Sequence, residues 1–256
     1  MTKYTAKLAA DLRLLGVKAG DILLVHTSMK GLNTPELAPD DVIQVLLDIL
    51  TPEGTLLVPA LSYSDVTPQY PVFDARNTPS CIGALPERFR LKWAEYRSIH
   101  PTHSVCARGK MAYAMTAWHR LDNTPVGSHS PFMQLPKLNG KILMLGCGLR
   151  PNTFMHGVEE AAHASYPLAK KTVRYTVTDM EGNTSQQEYF PHSFGTLIQR
   201  YDRLQEVMSR EGLAEGAVLM GKSYLIDAAE AYRAGVGKIR EEEEFFVERP
   251  GQEKNI

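Results

Sequence analysis

An α/β fold, with a sheet covered by helices, is what this chain predicts, and three observations carry that prediction. Short apolar runs recur at 22–25, 55–61 and 141–146, each bounded by glycine or polar residues, as buried strands are. Between them, apolar residues return every three or four positions, the mark of helices with one face in a core. The order near the start is helix, strand, helix, strand, the rhythm of a sheet under helical cover.

Leucines at 8, 12 and 15 followed by Gly16 predict a helix over 4–15. Asp21–His26 (DILLVH) reads as a buried strand, and Pro39-Asp40-Asp41 opens an amphipathic helix that runs to about Leu50. The turn Pro52-Glu53-Gly54 leads into TLLVPAL, a second strand ending near Pro59. Residues 61–82, with Pro68, Pro71, Pro79 and several tyrosines, predict a long loop, a length that usually goes with function. A helix is expected over Ile82–Trp93, a central strand at KILMLG (141–146) and a helix over 154–164. KTVRYTVTD and TSQQEYF flank Met180-Glu181-Gly182-Asn183, a hairpin signature. Helices are expected at 194–210 and 223–240, separated by the strand GAVLMG, and Arg240–Glu244 reads as a solvated helix end. No repeat or linker interrupts residues 1–256, which read as one domain.

The composition narrows the function classes. With 28 basic and 29 acidic side chains and a net charge of −1 over 256 residues, no basic field invites nucleic acid or an anionic membrane. Three cysteines (Cys81, Cys106, Cys147) cannot all pair and form no CxxC, so reduced thiols in a cytoplasmic protein are expected. No apolar run is long enough to span a bilayer, and Lys7, Asp11 and Arg13 break the N-terminal segment where a signal peptide would be unbroken.

The sharpest chemical cluster is Thr153–Glu160 (TFMHGVEE). On a helix, His156 and Glu159 share a face. A carboxylate on one imidazole nitrogen fixes the tautomer and leaves the other nitrogen free to accept a proton. A second cluster, His26-Thr27-Ser28-Met29-Lys30-Gly31, follows the first strand. Backbone amides there could face a phosphate, or Thr27 or Ser28 could simply cap a helix. Arg97–Ser104 (RSIHPTHS) places two histidines and three hydroxyls in a polar loop, fit for the rim of a pocket. Glu160 and His163 have the spacing of one half of a di-metal helix, but the chain lacks the second ExxH and any HExxH, so no metal is expected. GxSxG and GxGxxG are absent as well.

In series, DILLVHTSMKGLN, GTLLVPALSY, RSIHPTHSVCARG, PVGSHSPFMQLPKLNGKILMLGCG and NTFMHGVEEAA resemble the aminoglycoside 3-N-acetyltransferase family. The match is firm from about residue 5 to 168 and looser beyond. The acetyltransferase superfamily whose pyrophosphate loop begins with Gln or Arg is a poorer fit, because the nearest run here, Tyr232–Gly237 (YRAGVG), begins with tyrosine. The resemblance implies a three-layer α/β/α fold with a mixed central sheet, and acetyl-coenzyme A as donor. It implies His156 as base with Glu159 orienting it. It also implies a coenzyme-binding turn in which Ser28, Met29, Lys30 and Gly31 offer amides, with His26 and Thr27 at the same sheet edge. Ser104 would lie near the thioester.

The implied acceptor is a small amine, an aminoglycoside above all. A polycation needs carboxylates, and Asp65, Asp74 and Glu160 are the candidates. Where the family often has an acidic residue before the threonine of the HxxE block, this chain has Arg150-Pro151-Asn152. Two other classes stay open: a metal-dependent hydrolase using His156, Glu160 and His163, and a coenzyme A-binding protein without turnover. Cys106 as a covalent acetyl carrier has no paired base in the sequence.

Overall fold

The computed structural model describes residues 3–251; the ends of the expected 1–256 domain lie outside it. The first half builds α1 (Lys3–Leu15), β1 (Ile22–Thr27), α2 (Pro39–Leu50), β2 (Thr55–Pro59), β3 (Val72–Asp74), α3 (Ala84–Lys92), β4 (Tyr96–Arg97) and β5 (Val105–Gly109). Then come α4 (Ala112–Thr116), α5 (Pro131–Gln134), β6 (Lys141–Leu145), α6 (Phe154–Ala162) and the hairpin β7 (Val173–Thr178) and β8 (Thr184–Tyr189). The chain closes with β9 (Ile198–Gln199), β10 (Leu213–Val218), β11 (Gly221–Asp227), α7 (Ala228–Glu241) and β12 (Val247–Glu248).

Seven strands form the central sheet in the order β10-β11-β6-β1-β2-β5-β4. Strands β6, β1 and β2 are parallel, and antiparallel pairs flank them on both sides. The mixed sheet follows from the connections: α2 returns the chain for parallel pairing, whereas a tight turn between β10 and β11 allows only antiparallel pairing. Side chains on successive strand residues point to opposite faces, and both faces are buried. Leu23, Val25, Leu143 and Leu145 pack with α1 and α2, while Leu24, Ile142 and Met144 pack with Phe154, Met155 and Val158 of α6. That double burial is why these strands read as unbroken apolar runs. The same alternation places His26, two residues beyond Leu24, on the α6 side of the sheet.

A smaller sheet, β3-β7-β8, encloses Val66, Phe73, Tyr175 and Tyr189. It lies partly within the segment expected to be a loop over 61–82, where Val72–Asp74 pairs in parallel with Thr176–Thr178. Two other expectations are also revised. The helix expected at 194–210 is an extended segment, the strand Ile198–Gln199 and a 3-10 turn over Tyr201–Glu206. The strand is there because it pairs with Val247–Glu248, a partner no local pattern reveals. Residues 223–227 belong to β11, and the final helix starts only after Asp227, whose side chain accepts from the Glu230 amide.

Among the described residues no helix is long and apolar enough to cross a membrane. The turn after β1 abuts the turn after β6 so closely that a Cβ on Gly31 would lie 1.9 Å from the Gly146 carbonyl oxygen. Gly31→Ala must push these two turns apart. It should lower the unfolding free energy by about 1–3 kcal/mol, read as a shift in the urea midpoint; an unchanged midpoint would show that the contact is dispensable.

Candidate active site

A cavity of about 490 Å³ opens at the carboxyl ends of β1 and β6, where open α/β sheets hold their ligands. The end of β1, the segment from Cys147 into α6, and loop residues from 61–63 and 192–201 wall it. The turn before α6 brings in Arg150 and Asn152, and the first turn of the helix brings in His156.

His156 is held from behind. Its Nδ1 lies 2.8 Å from the Tyr201 hydroxyl and 3.3 Å from Oε2 of Glu159. Tyr201 donates to the same Oε2 at 3.0 Å, and Tyr166 donates to Oε1 at 3.1 Å. Glu159 is fully buried, and a buried carboxylate is tolerable only when donors surround it. Burial and the Glu159 charge push both phenols above their ordinary values, so each keeps the proton it gives. Because Tyr201 spends its one hydrogen on Glu159, its oxygen can only accept from His156. The proton of the ring therefore sits on Nδ1, and the Nε2 lone pair is free.

Two more imidazoles join it. His103, from the loop between β4 and β5, and His192, after β8, lie with ring centroids 6.1 and 4.5 Å from His156, and 4.6 Å from each other. Burial and the neighbouring rings hold both well below the ordinary histidine value. Phe194 stacks at a tilt beside His156, with centroids 5.0 Å apart. His26 also lines the cavity; burial, and then His156, lower it to about 3, so it stays neutral. Nε2 of His26, Oγ1 of Thr27 and both amide atoms of Asn152 are buried without a protein partner. All three side chains line this cavity, and such orphaned groups point to a polar ligand there.

The other predicted residues are placed differently. In the turn after β1, the Ser28 amide donates to Leu145 and the Gly31 amide to Ser28 Oγ. Only the Met29 and Lys30 amides are left out of those internal bonds. Ser104 lies outside the cavity wall; its hydroxyl donates to the Ala60 carbonyl and accepts from Arg97, bracing β5. The three candidate carboxylates for a cationic acceptor are not in the wall either. Asp65 is exposed beside Ser64. Asp74 closes its own turn by accepting from Arg76 and Asn77. Glu160 accepts from Thr124 at 2.5 Å and from the Val126 amide at 2.9 Å, facing a second cavity; burial raises it to about 7.

His163 caps α6 in the left-handed conformation and lines that second cavity. The set His156, Glu160 and His163 is thus split between two cavities. Cys106 lies on the opposite face of the sheet, among the residues packed on α1 and α2, and burial pushes its thiol up to about 11. It is too far from the cavity and too weakly acidic to carry an acyl group. Sequence reasoning missed Tyr201, Tyr166, His192 and Phe194. His103 stood in the polar loop expected at a pocket rim, but nothing local tied it to His156.

A layered α/β/α protein with a histidine in the wall of a sheet-edge cavity has the makings of an enzyme that handles a small polar ligand, and the fold alone does not say which chemistry it performs. The comparisons select within that class. The family model for aminoglycoside 3-N-acetyltransferases matches residues 24–239, and the chain belongs to that family. It is 29% identical to aminoglycoside N(3)-acetyltransferase III of Pseudomonas aeruginosa, over 90% of this chain and 91% of that one. It is 32% identical to aminoglycoside N(3)-acetyltransferase VII of Streptomyces paromomycinus, over 62% of this chain and 60% of the relative. Among solved structures, that of aminoglycoside acetyltransferase AAC(3)-Xa superposes with a TM-score of 0.78 at 29% identity, covering 93% of each chain. The binary complex of AAC-IIIb with CoASH gives 0.76 at 29% identity, covering 93% of this chain and 96% of that one.

Glu159→Ala would strand two phenol hydroxyls. It should cost about 1–3 kcal/mol of stability for each, whereas Tyr201→Phe, which keeps the ring in place, should cost only about 1 kcal/mol. Urea denaturation of both variants checks the order; equal losses would contradict it.

Proposed function

We propose that this protein transfers the acetyl group of acetyl-coenzyme A to a primary amine by direct attack, with His156 as the base. One observation carries the reading: an imidazole locked in one tautomer, its Nε2 lone pair free, in the wall of a cavity at the sheet edge. An alkyl amine is mostly ammonium at neutral pH and cannot attack until it loses a proton. His156 Nε2 takes that proton, the nitrogen adds to the thioester carbonyl, and the coenzyme A thiolate leaves. The Nδ1 proton stays with Tyr201 and Glu159, so the positive ring that forms is met by a carboxylate already in place.

His26, Thr27 and Asn152 fit a polar substrate because their partnerless atoms line the cavity. We assign the Met29 and Lys30 amides, at the start of the turn after β1, to the anionic arm of the coenzyme. The AAC-IIIb complex with CoASH supports that donor. The names of the relatives support the 3-amino group of an aminoglycoside as acceptor, as does an AAC(3)-IVa structure in complex with a gentamicin, 26% identical with a TM-score of 0.79.

A second acceptor reading has its own observation. The cavity wall contains Arg150, imidazoles and aromatic rings but no Asp or Glu, a poor lining for a polycation. An amine of low charge fits this wall better. A panel of aminoglycosides and monoamines, followed by thiol release from acetyl-coenzyme A, decides the acceptor. Release with aminoglycosides at low KM supports the first reading, and preference for monoamines supports the second. Saturable coenzyme binding with no acetylated product from any amine would overturn both.

His156→Ala should lower kcat by about 10²–10⁴-fold with the coenzyme still bound. Near-normal turnover at saturating amine would remove His156 from the mechanism.

A further inference from the structure

The three imidazoles come from three separate segments: the loop between β4 and β5, the first turn of α6, and the stretch after β8. One ring nitrogen from each of His103, His156 and His192 lies within 4.8 Å of the other two. Proton transfer needs only one of these rings.

Two of the three are oriented as metal ligands are, with the second ring nitrogen tied to an oxygen. Nδ1 of His156 meets Tyr201 and Glu159, and Nδ1 of His103 meets the Thr102 hydroxyl at 2.8 Å. Both rings therefore have Nε2 left over. His192 has no hydrogen bond on Nε2, and the nearest carboxylate oxygen, Glu160 Oε1, stands 3.7 Å away. All three rings line the same cavity, where a further ligand can enter.

We propose that His103, His156 and His192 form a binding site for a divalent transition metal of the zinc type, and that the metal switches acetyl transfer off. The donor set is right for zinc, which takes three imidazoles and one exchangeable ligand in a tetrahedron. Tetrahedral geometry with bonds near 2.05 Å puts the nitrogens roughly 3.3 Å apart, so the rings close in by up to about 1.5 Å. His192 stands outside regular strand or helix structure, paired through an isolated bridge to Leu168, and such irregular backbone can take up part of that movement. The blocking role rests on His156 being the base: a nitrogen whose lone pair is on the metal cannot take a proton from an amine. The site itself does not depend on that reading.

The test starts from full-length protein stripped with a chelator. Zinc chloride titrated by calorimetry should bind one equivalent per chain, and cobalt(II) should give the intense visible bands of a tetrahedral ion. Zinc should also raise the melting temperature. His103→Gln and His192→Gln, each checked for a folded transition, should weaken zinc binding by more than the about 10–100-fold that a supporting residue costs. With acetylated amine measured by mass, because free coenzyme A thiol also captures zinc, the metal should inhibit the parent protein and a chelator should restore it. Each variant should lose a smaller fraction of its own activity at the same zinc concentration.

Absence of zinc binding at micromolar concentration, or binding indifferent to both substitutions, overturns the site. Turnover that rises with zinc or vanishes on chelation overturns the blocking role. Tight zinc binding in a protein that acetylates nothing would sink the transferase reading while leaving the metal site standing.

Discussion

A single buried carboxylate fixes the arrangement around the cavity's central histidine. Glu159 sits with no exposed surface and accepts from Tyr166, Tyr201 and His156. A carboxylate removed from water in this way is tolerable only where such donors replace the water. Three stretches of chain are thereby tied together: α6, the segment just after it, and the 3-10 turn at 201–206. The outcome is an imidazole with one permitted tautomer. A ring free to swap tautomers would present a lone pair to the cavity only part of the time, and preorganisation of this kind is where catalysts gain rate.

The scaffold's part is geometric. Alternation along β1 sends Leu23 and Val25 toward α1 and α2, and Leu24 and His26 toward α6. The two turns that close β1 and β6 touch through Gly31 and Gly146, next to Thr27 and Cys147, which line the cavity. Phe154, Met155 and Val158 anchor α6 in the core, so His156 is fixed by packing on one side and by hydrogen bonds on the other. His156 thus rides on a rigid helix, whereas His192 and Phe194 come from irregular backbone that can adapt to a ligand.

Much of this was legible in the residues. The strands β1, β2 and β6 and the helices α1, α2 and α6 announce themselves because they are buried on both faces or carry a clean helical stripe. His156 and Glu159 were legible for the same reason, since a spacing of three on a helix is a local fact. Tyr201 was not. Phe194, Leu197, Tyr201, Leu204 and Met208 have helical spacing, yet the segment is pulled straight by pairing Ile198–Gln199 with Val247–Glu248, a contact 48 or more residues away. The three-histidine cluster failed to show for a related reason: its members are separated by more than 30 residues and meet only through the tertiary fold. The carboxylates expected to meet an acceptor lie outside this cavity wall for another reason. Asp65, Asp74 and Glu160 were chosen by proximity in sequence, but short carboxylates in turns tend to close their own backbone, as Asp74 does, and Glu160 is taken up by Thr124 and the Val126 amide.

The central claim concerns where one proton resides, and nitrogen-15 NMR of histidine-labelled protein reads it directly. With the His156 signal assigned by its loss in a substituted variant, the account predicts that the proton-bearing nitrogen is Nδ1 and that Nε2 is bare. It also predicts that replacing the Tyr201 hydroxyl and the Glu159 carboxylate together releases a mixture of tautomers. A native ring protonated at Nε2, or one already exchanging freely between the two forms, would contradict it.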